Sequence, residues 1–295
     1  STLALAYYFT ANESYAEGAA SVLKAWFITP ATAMNPSLTF AGYTPGASNG
    51  SSSGIIATTC RWTSQVTDAA QLLVGSPHWD VEAQAAMSRW NAAYLAWLLG
   101  SANGRSEGRS RNNHYTWYSV QAASLSLATA NGTAAAAVAA RFVSKTTPGA
   151  LQSQILPSGV MPLEAARDAG ATYSTMNVHG LFNLGTVLSN VPGATPLWAF
   201  SAADGSGSIR AALDFLLSFG TNASKVWPYS QEGAKSWSDF PWAALATPLR
   251  MAAAIYGEPK YEAAISLLPW APGKLEEFLT QDVSLLLFPP AAKLP

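Results

Sequence analysis

Residues 3–20 read LALAYYFTANESYAEGAA, and this stretch decides the fold because an apolar helix, a short break and a second helix follow one another. The second helix continues over residues 14–27. Its apolar residues recur at spacings of three and four, the helical period: Tyr15, Ala19, Val22, Leu23 and Trp26. Ser14 and Glu17 have the spacing of a capping box, which predicts that this helix begins at Ser14.

The same design occurs twice more, as LSLATANGTAAAAVAA at residues 125–140 and as LRMAAAIYGEPKYEAAIS at residues 249–266. A helical hairpin needs neighbours to cover its second face, so a series of hairpins favours a closed array. We therefore predict an all-α protein, an α/α toroid formed as an incomplete barrel of antiparallel helical hairpins. No linker divides the chain, which predicts a single domain over residues 1–295.

The helix with the most regular pattern covers residues 81–99, where Met87, Trp90, Tyr94 and Leu98 share one face and Gly100 is the expected terminus. Strand alternation is nowhere sustained. Polar loops are expected at 41–55, 101–112, 189–207 and 219–238. Further helices are predicted at 2–9, 63–74, 115–129, 133–143, 172–188, 208–218, 239–256 and 258–267.

The charge balance limits the classes of partner. The 295 residues contain 16 Lys and Arg against 17 Asp and Glu, a formal net charge of −1, which excludes nucleic-acid binding built on net charge. Charged residues make up 11% of the chain, far below the average of about 25%, so Ser, Thr, Asn and Gly supply much of the polar surface. No apolar run reaches the ~18 residues of a membrane span, and we expect a soluble protein with no membrane partner. The sequence makes no prediction of oligomeric state.

The cysteine content and the glycosylation motifs indicate the compartment. Cys60 is the single cysteine, and no Cys/His cluster has ligand spacing, so we predict neither a metal nor a cofactor. Asn-x-Ser/Thr motifs occur at Asn12, Asn49, Asn131 and Asn222. We expect a secreted, extracellular glycoprotein, from which a segment preceding Ser1 has been removed.

The first chemical cluster lies in RNNHYTWYSVQ, residues 111–121. The chain has three histidines, His78, His114 and His179, and His114 has the richest surroundings. Together with Trp117 and Gln121 it occupies one face at the start of a helix, where the helix dipole favours an anion beside a neutral imidazole. The alternative is an asparagine cap with a histidine facing the core.

The second cluster lies in PLEAARDAGATYSTMNVHGLFN, residues 162–183. Glu164 and Arg167 are three residues apart, and Tyr173 and Asn177 share a face of the next helix. A guanidinium binds a carboxylate through two parallel hydrogen bonds, and Glu164 is able to hold it in place. The alternative is a surface ion pair beside a packed tyrosine. His179 is either a functional residue or a core histidine.

The third cluster is the aromatic segment VWPYSQEGAKSWSDFPW, residues 226–242. Aromatic rings in polar loops stack on sugar rings, which makes Trp227 a candidate sugar contact. Burial in the core is an equally good interpretation of these rings.

Four segments together resemble the alginate lyase-like polysaccharide lyases: residues 6–46, WNAAYLAWLLGS at 90–101, NNHYTWYSVQ at 112–121 and MPLEAARDAGATYSTMNVHGLFNLG at 161–185. The ordered combination of Asn-Asn-His-x-x-Trp with Glu-x-x-Arg and a following tyrosine is more specific than either half. Relatives carry an additional N-terminal region, which we expect this chain to lack.

The resemblance implies a metal-independent lyase on an α/α toroid that cleaves a β-1,4-linked polyuronate, alginate (polymannuronate) or glucuronan, by β-elimination. It implies that Asn113 and Arg167 neutralise the uronate carboxylate and that His114 and Tyr173 handle the protons. In a mannuronate-type sugar Tyr173 alone serves as base and acid; with the opposite C5 configuration His114 takes the proton and Tyr173 supplies one. The predicted substrate-binding residues around these four are Asn112, Trp117, Gln121, Asn177, His179 and Trp227.

Two other functions fit the same kind of fold. A glycoside hydrolase needs two opposed carboxyl groups. A non-catalytic carbohydrate-binding protein needs none. Candidate carboxyl groups for the hydrolase are Glu164, Asp168, Asp80 and Asp239.

Overall fold

The computed structural model describes residues 1–41, 46, 63–229, 235–282 and 284–288. Within these residues the chain forms helices, turns and loops and has no strand. The all-helical prediction is therefore confirmed. The glycosylation motif at Asn49 and most of the predicted loop 41–55 lie outside the described residues.

The chain divides into two compact units. The first consists of residues 1–110, 117–139 and 190–192, and the second of residues 111–116, 140–189 and 193–295. The single domain over residues 1–295 stays a prediction.

The first unit contains the most regular predicted helix. Helix Val81–Gly100 buries Met87, Trp90, Tyr94 and Leu98, the face that the spacing predicted. Helix Thr2–Thr10 packs against helices Glu13–Phe27 and Thr63–Leu72. The helices of this unit, two of which extend beyond it, are Thr2–Thr10, Glu13–Phe27, Thr63–Leu72, Val81–Gly100, Ala102–Glu107, Asn113–Ala128 and Gly132–Phe142.

Two local predictions in this unit, the start of one helix and one loop, are wrong. The helix expected to begin at Ser14 begins at Glu13, because the Asn12 side chain accepts a hydrogen bond from the Ser14 backbone N–H and takes the capping position itself. Helix Val81–Gly100 ends at Gly100, the expected terminus, and Ser101 follows in an extended conformation. Ser101 then caps the short helix Ala102–Glu107, where a loop was expected.

The first two predicted hairpins share one turn chemistry. Ala11 and Ala130 both have φ 53°, and they are the non-glycine residues with positive φ in the described chain. An asparagine follows each of them. Asn12 Oδ1 accepts from the Ser14 N–H at 3.0 Å, and Asn131 Oδ1 accepts from the Ala134 N–H at 3.0 Å. A left-handed residue that ends one helix and an asparagine that starts the next explain the repeat seen in the sequence.

The second unit contains the third hairpin. Gly257, with φ 65°, separates helix Ala246–Tyr256 from helix Pro259–Ile265, and the two helices pack together. Its α-helices within the unit are Leu151–Gln154, Pro162–Ala165, Gly170–Leu188, Ile209–Gly220, Ala246–Tyr256, Pro259–Ile265, Lys274–Gln281 and Ser284–Leu287. Single 3-10 turns form at Leu197–Ala199, Trp237–Asp239 and Trp242–Leu245.

Helix Gly170–Leu188 is central to the second unit. It packs against the short helix Pro162–Ala165 and against helices Ile209–Gly220 and Ala246–Tyr256. This packing brings the segment that carries Glu164 and Arg167 against the helix that carries Tyr173.

In the described part of the chain, no helix combines the length and apolar character needed to cross a membrane. The same residues hold no group of three or more His, Cys, Asp or Glu side chains arranged to bind a metal ion.

Candidate active site

The candidate site begins at the first turn of helix Asn113–Ala128. Asn112 precedes the helix, and its Oδ1 accepts from the His114 backbone N–H at 3.3 Å. The first residue, Asn113, is completely buried. The N–H groups of a first helical turn have no partner inside the helix, so they need acceptors from elsewhere in the fold.

Glu164 supplies one of these acceptors from 51 residues away along the chain. Its Oε1 accepts from the Asn113 backbone N–H and also from Asn113 Nδ2, the latter at 2.6 Å. Glu164 lies in the short helix Pro162–Ala165 and is 1% exposed. A buried carboxylate at a helix N-terminus is favoured by the helix dipole and by these charge-assisted hydrogen bonds.

Arg167 joins this carboxylate to the candidate proton carrier. Its Nη1 lies 3.4 Å from Glu164 Oε2. Its guanidinium carbon lies 3.2 Å from the centre of the Tyr173 ring, so the cation is stacked on the aromatic face. The Arg167 side chain is 30% exposed and Tyr173 is half-buried. A substrate in solution therefore has access to both groups.

Two opposing influences act on the Glu164 carboxyl. Burial raises its pKa, and the hydrogen bonds from Asn113 together with the positive charge of Arg167 partly offset this increase. Burial is the larger influence, so the pKa of Glu164 lies above its ordinary value. The carboxylate is therefore held by its partners and not by water.

The structure brings three of the four predicted catalytic residues into one continuous set of contacts. Asn113 contacts Glu164, Glu164 contacts Arg167, and Arg167 contacts Tyr173. All four residues belong to the second unit. Two segments that are distant in sequence therefore meet through the carboxylate between them. The catalytic roles assigned to these residues stay predictions.

Comparison with known proteins gives the family. The family model described as alginate lyase matches residues 1–227, which include this whole set of contacts. The chain belongs to the alginate lyase family. Its structure also matches the crystal structure of an alginate lyase from Bacteroides ovatus, with a TM-score of 0.80 and 29% sequence identity. The match covers 94% of this chain and 70% of that chain. Among curated proteins, no match was found.

The family and the structural match make the chain a polysaccharide lyase, as the sequence predicted. They also agree with the all-α fold class. The remaining predicted site residues of this alginate lyase family member divide by burial into two groups.

The first group keeps some exposure. His114 directly follows Asn113 in the first helical turn and is half-buried. His179 is half-buried on helix Gly170–Leu188. Asn112 is half-buried and its side chain caps the Asn113 helix, which is the structural role that the sequence left open.

The second group is buried. Gln121, in the first unit, accepts from the Tyr94 hydroxyl at 2.5 Å and from the Thr63 hydroxyl at 3.4 Å. Trp117, in the same unit, has no exposed surface. Helix Asn113–Ala128 turns the face that these two residues share inwards, and protein covers their surface. Their assignment to substrate binding stays a prediction.

Asn177 and Trp227, in the second unit, are buried in the same way, and their assignment to substrate binding also stays a prediction. Asn177 Nδ2 donates to Gln154 Oε1 at 2.9 Å and contacts the Met161 sulfur at 3.3 Å. Trp227 is 2% exposed. Its neighbours are rings packed edge-on or tilted at 5.2–6.1 Å: Phe215, Phe219, Tyr229 and Trp242. Both side chains therefore belong to the core, and Trp227 presents no face to a sugar.

Sequence reasoning missed two features of the site. The contact between Glu164 and Asn113 joins segments 51 residues apart, and no local spacing reports it. Gln154 was also missed, although its amide donates to the Gly149 carbonyl at 2.7 Å and to the Thr116 hydroxyl at 3.2 Å. Thr116 lies one turn after Asn113, so Gln154 supports the same helical turn. No local signal in the sequence identifies Gln154, because its burial at the end of helix Leu151–Gln154 is a property of the fold.

Proposed function

We propose that this polysaccharide lyase cleaves a β-1,4-linked polyuronate, alginate (polymannuronate) or glucuronan, by β-elimination. The observation that carries the proposal is the accessible Arg167 guanidinium, stacked on Tyr173 and backed by the buried Glu164 carboxylate. The family match supports an acidic polysaccharide as the substrate.

Arg167 is the group that we assign to the uronate carboxylate. The hydrogen at C5 of a uronate is weakly acidic, and its removal adds charge next to a group that is already an anion. Donors aimed at that carboxylate stabilise the enolate-like intermediate and so lower the barrier. Glu164 contacts Arg167 through a single nitrogen at 3.4 Å. The other guanidinium N–H groups are available for a bidentate contact.

The proton transfers belong to Tyr173 and His114. In a mannuronate-type unit the Tyr173 oxygen takes the C5 proton, the C4–O4 bond breaks as the C4–C5 double bond forms, and Tyr173 returns the proton to O4. In a unit of the opposite C5 configuration His114 takes the proton and Tyr173 supplies one to the leaving oxygen. In both cases the product carries an unsaturated uronate at its new non-reducing end.

The hydrolase alternative is less well supported, because its candidate carboxyl groups have structural partners. Glu164 is buried against Asn113. Asp80 caps helix Val81–Gly100 by accepting from the Ala83 N–H at 2.7 Å. Asp239 closes a capping box with Ser236. Asp168 is exposed, and a hydrolase needs a second carboxyl group opposite it.

The test is an absorbance assay with polymannuronate, polyguluronate and glucuronan as separate substrates. A conjugated double bond formed by elimination absorbs in the ultraviolet, whereas hydrolysis produces reducing ends without this absorbance. We expect the wild type to produce the ultraviolet signal on at least one polymer. The variant Tyr173→Phe keeps the ring under Arg167 but lacks the hydroxyl, so we expect it to lose the signal while its helical circular dichroism is retained.

Tyr256→Phe is the matched control. Tyr256 is also half-buried in the second unit and also has an arginine over its ring, Arg210 at 5.3 Å. We expect this control to keep wild-type activity. Full activity of Tyr173→Phe would overturn the assignment of the proton carrier. Reducing ends without absorbance would favour the hydrolase, and intact polymer that co-sediments with the protein would favour a binding protein.

We also propose that the protein is secreted and acts outside the cell. Three of the predicted glycosylation motifs lie among the described residues, and their asparagines, Asn12, Asn131 and Asn222, are all exposed. This exposure supports the proposal, because an oligosaccharide can be attached only to a side chain at the surface.

A further inference from the structure

Glu164 uses its two carboxylate oxygens for two different partners. Oε1 accepts both N–H groups of Asn113, from the backbone and from the side chain. Oε2 faces the guanidinium of Arg167. One buried side chain thus sets the separation between the amide and the guanidinium.

The contacts to Oε1 fix the orientation of the Asn113 amide. Because Nδ2 donates to Glu164, the opposite atom, Oδ1, points away from this carboxylate. Asn113 Oδ1 is buried and has no hydrogen-bond partner in the structure. A reversed amide would place Oδ1, an acceptor, against the acceptor oxygen of Glu164, so the carboxylate fixes the observed orientation.

The contact to Oε2 restrains Arg167 from one side, and the Tyr173 ring restrains it from another. A guanidinium held by a ring face and by one carboxylate oxygen keeps a defined plane. This plane decides whether the free N–H groups meet a substrate carboxylate with bidentate geometry. A misplacement of about 1 Å at such a group costs on the order of 100-fold in rate.

We propose that Glu164 is a positioning residue of the elimination, which holds Arg167 and Asn113 in register with Tyr173 and does not itself touch the substrate. The proposal rests on the proposed polyuronate lyase function. The buried Glu164 fixes the geometry of Arg167 and Asn113 before the substrate binds.

Two substitutions separate the position of the carboxylate from its charge. Glu164→Gln keeps an oxygen for Asn113 but turns an N–H group towards Arg167, where donor faces donor. Glu164→Asp keeps the charge but shortens the side chain by one methylene, so that it cannot reach both partners. We expect each variant to lower kcat by about 10-fold to 100-fold, with a smaller change in KM, because the loss affects the transition state more than binding.

Glu262→Gln is the matched control, because Glu262 Oε2 lies 2.7 Å from the buried guanidinium of Arg250 outside the site. Kinetics are measured at a temperature where circular dichroism shows each variant to be folded, and melting temperatures are recorded beside them. We expect Glu262→Gln to lower the melting temperature while kcat per folded molecule stays within twofold of the wild type.

The outcomes separate the two proposals. If the wild type is active and both Glu164 variants keep kcat within twofold, or lose it only as much as Glu262→Gln does, the positioning role is wrong and the lyase function stands. If Glu164→Gln does not fold, Glu164→Asp decides by the same criterion, since it retains the buried charge. If the wild type produces no unsaturated product on any polyuronate, the proposed function fails and the positioning role fails with it.

Discussion

At the scale of single residues, burial distinguishes the candidate site from a similar set of side chains elsewhere. Arg210 also pairs with a glutamate, Glu258, and also lies over a tyrosine, Tyr256. The Glu258 side chain is 31% exposed, whereas that of Glu164 is 1% exposed. Glu164 in addition binds the amide of a distant segment. The same residue types are therefore a surface cluster in one place and an ordered set of contacts in the other.

Burial of Glu164 also predicts how stability depends on pH. Because its pKa is raised, the folded chain binds this proton more tightly than the unfolded chain does. Glu164 therefore makes its full contribution to the free energy of unfolding at a pH below the ordinary pKa of a glutamate, about 4.3. This contribution is lost as the pH rises through the higher pKa of the folded state. Arg167 is the charged group that contacts residue 164, and both the wild type and Glu164→Gln contain it.

We therefore expect the free energy of unfolding of the wild type, relative to that of Glu164→Gln, to fall as the pH rises from about 4 to about 7. Urea unfolding of both proteins at several pH values in this range measures the difference. A relative stability that rises with pH would show that the partners of the carboxylate outweigh its desolvation.

At the scale of helices, the hairpin turns depend on a short polar signal. Asn12 and Asn131 each accept a backbone N–H at the start of a helix, directly after an alanine in the left-handed conformation. An alanine in place of either asparagine has no side-chain acceptor for this N–H group. The turn is therefore specified by the asparagine, since the alanine that precedes it is an unfavourable choice for a positive φ.

We expect Asn12→Ala to lower the free energy of unfolding by about 1 kcal/mol, because the first turn of helix Glu13–Phe27 loses its cap. Asn12→Asp is the matched variant, since its carboxylate still accepts the Ser14 N–H and also suits a helix N-terminus. Urea unfolding of protein from a host that does not glycosylate measures both. Equal destabilisation by the two substitutions would contradict the capping role.

At the scale of the whole molecule, the surface carries three described glycosylation motifs whose asparagines use Oδ1 in local hydrogen bonds. Asn12 and Asn131 cap helices, and Asn222 Oδ1 accepts from the Ser224 N–H at 3.1 Å. A glycan is attached to Nδ2, the other atom of the amide. Glycosylation is therefore compatible with all three turns.

We expect expression in a secretory eukaryotic host to add glycans at these sites, seen as a mass decrease after endoglycosidase treatment. Ser14→Ala, Thr133→Ala and Ser224→Ala each remove one motif and leave the asparagine in place, so each is expected to reduce the number of attached glycans by one. An unchanged mass on enzyme treatment of the wild type would count against the extracellular location.

The sequence by itself determined most of the longer helices and the turns of the three predicted hairpins, because helical periodicity and turn chemistry are local properties. Helices Val81–Gly100 and Gly170–Leu188 lie within a few residues of their predicted bounds. The sequence also determined the residue types of the site, since Asn113, Arg167 and Tyr173 stand in recognisable motifs. Short helices such as Pro162–Ala165 were not predicted, because four residues carry too little periodicity.

Only the tertiary structure decided which polar and aromatic side chains are accessible. Periodicity puts Gln121 and Trp117 on one face of a helix, but packing decides whether that face meets water or protein. Packing likewise buries Trp227 in the core and places Glu164 against Asn113. A contact across 51 residues has no local signature, because it arises from the hydrophobic burial of whole helices and not from the spacing of the residues that it joins.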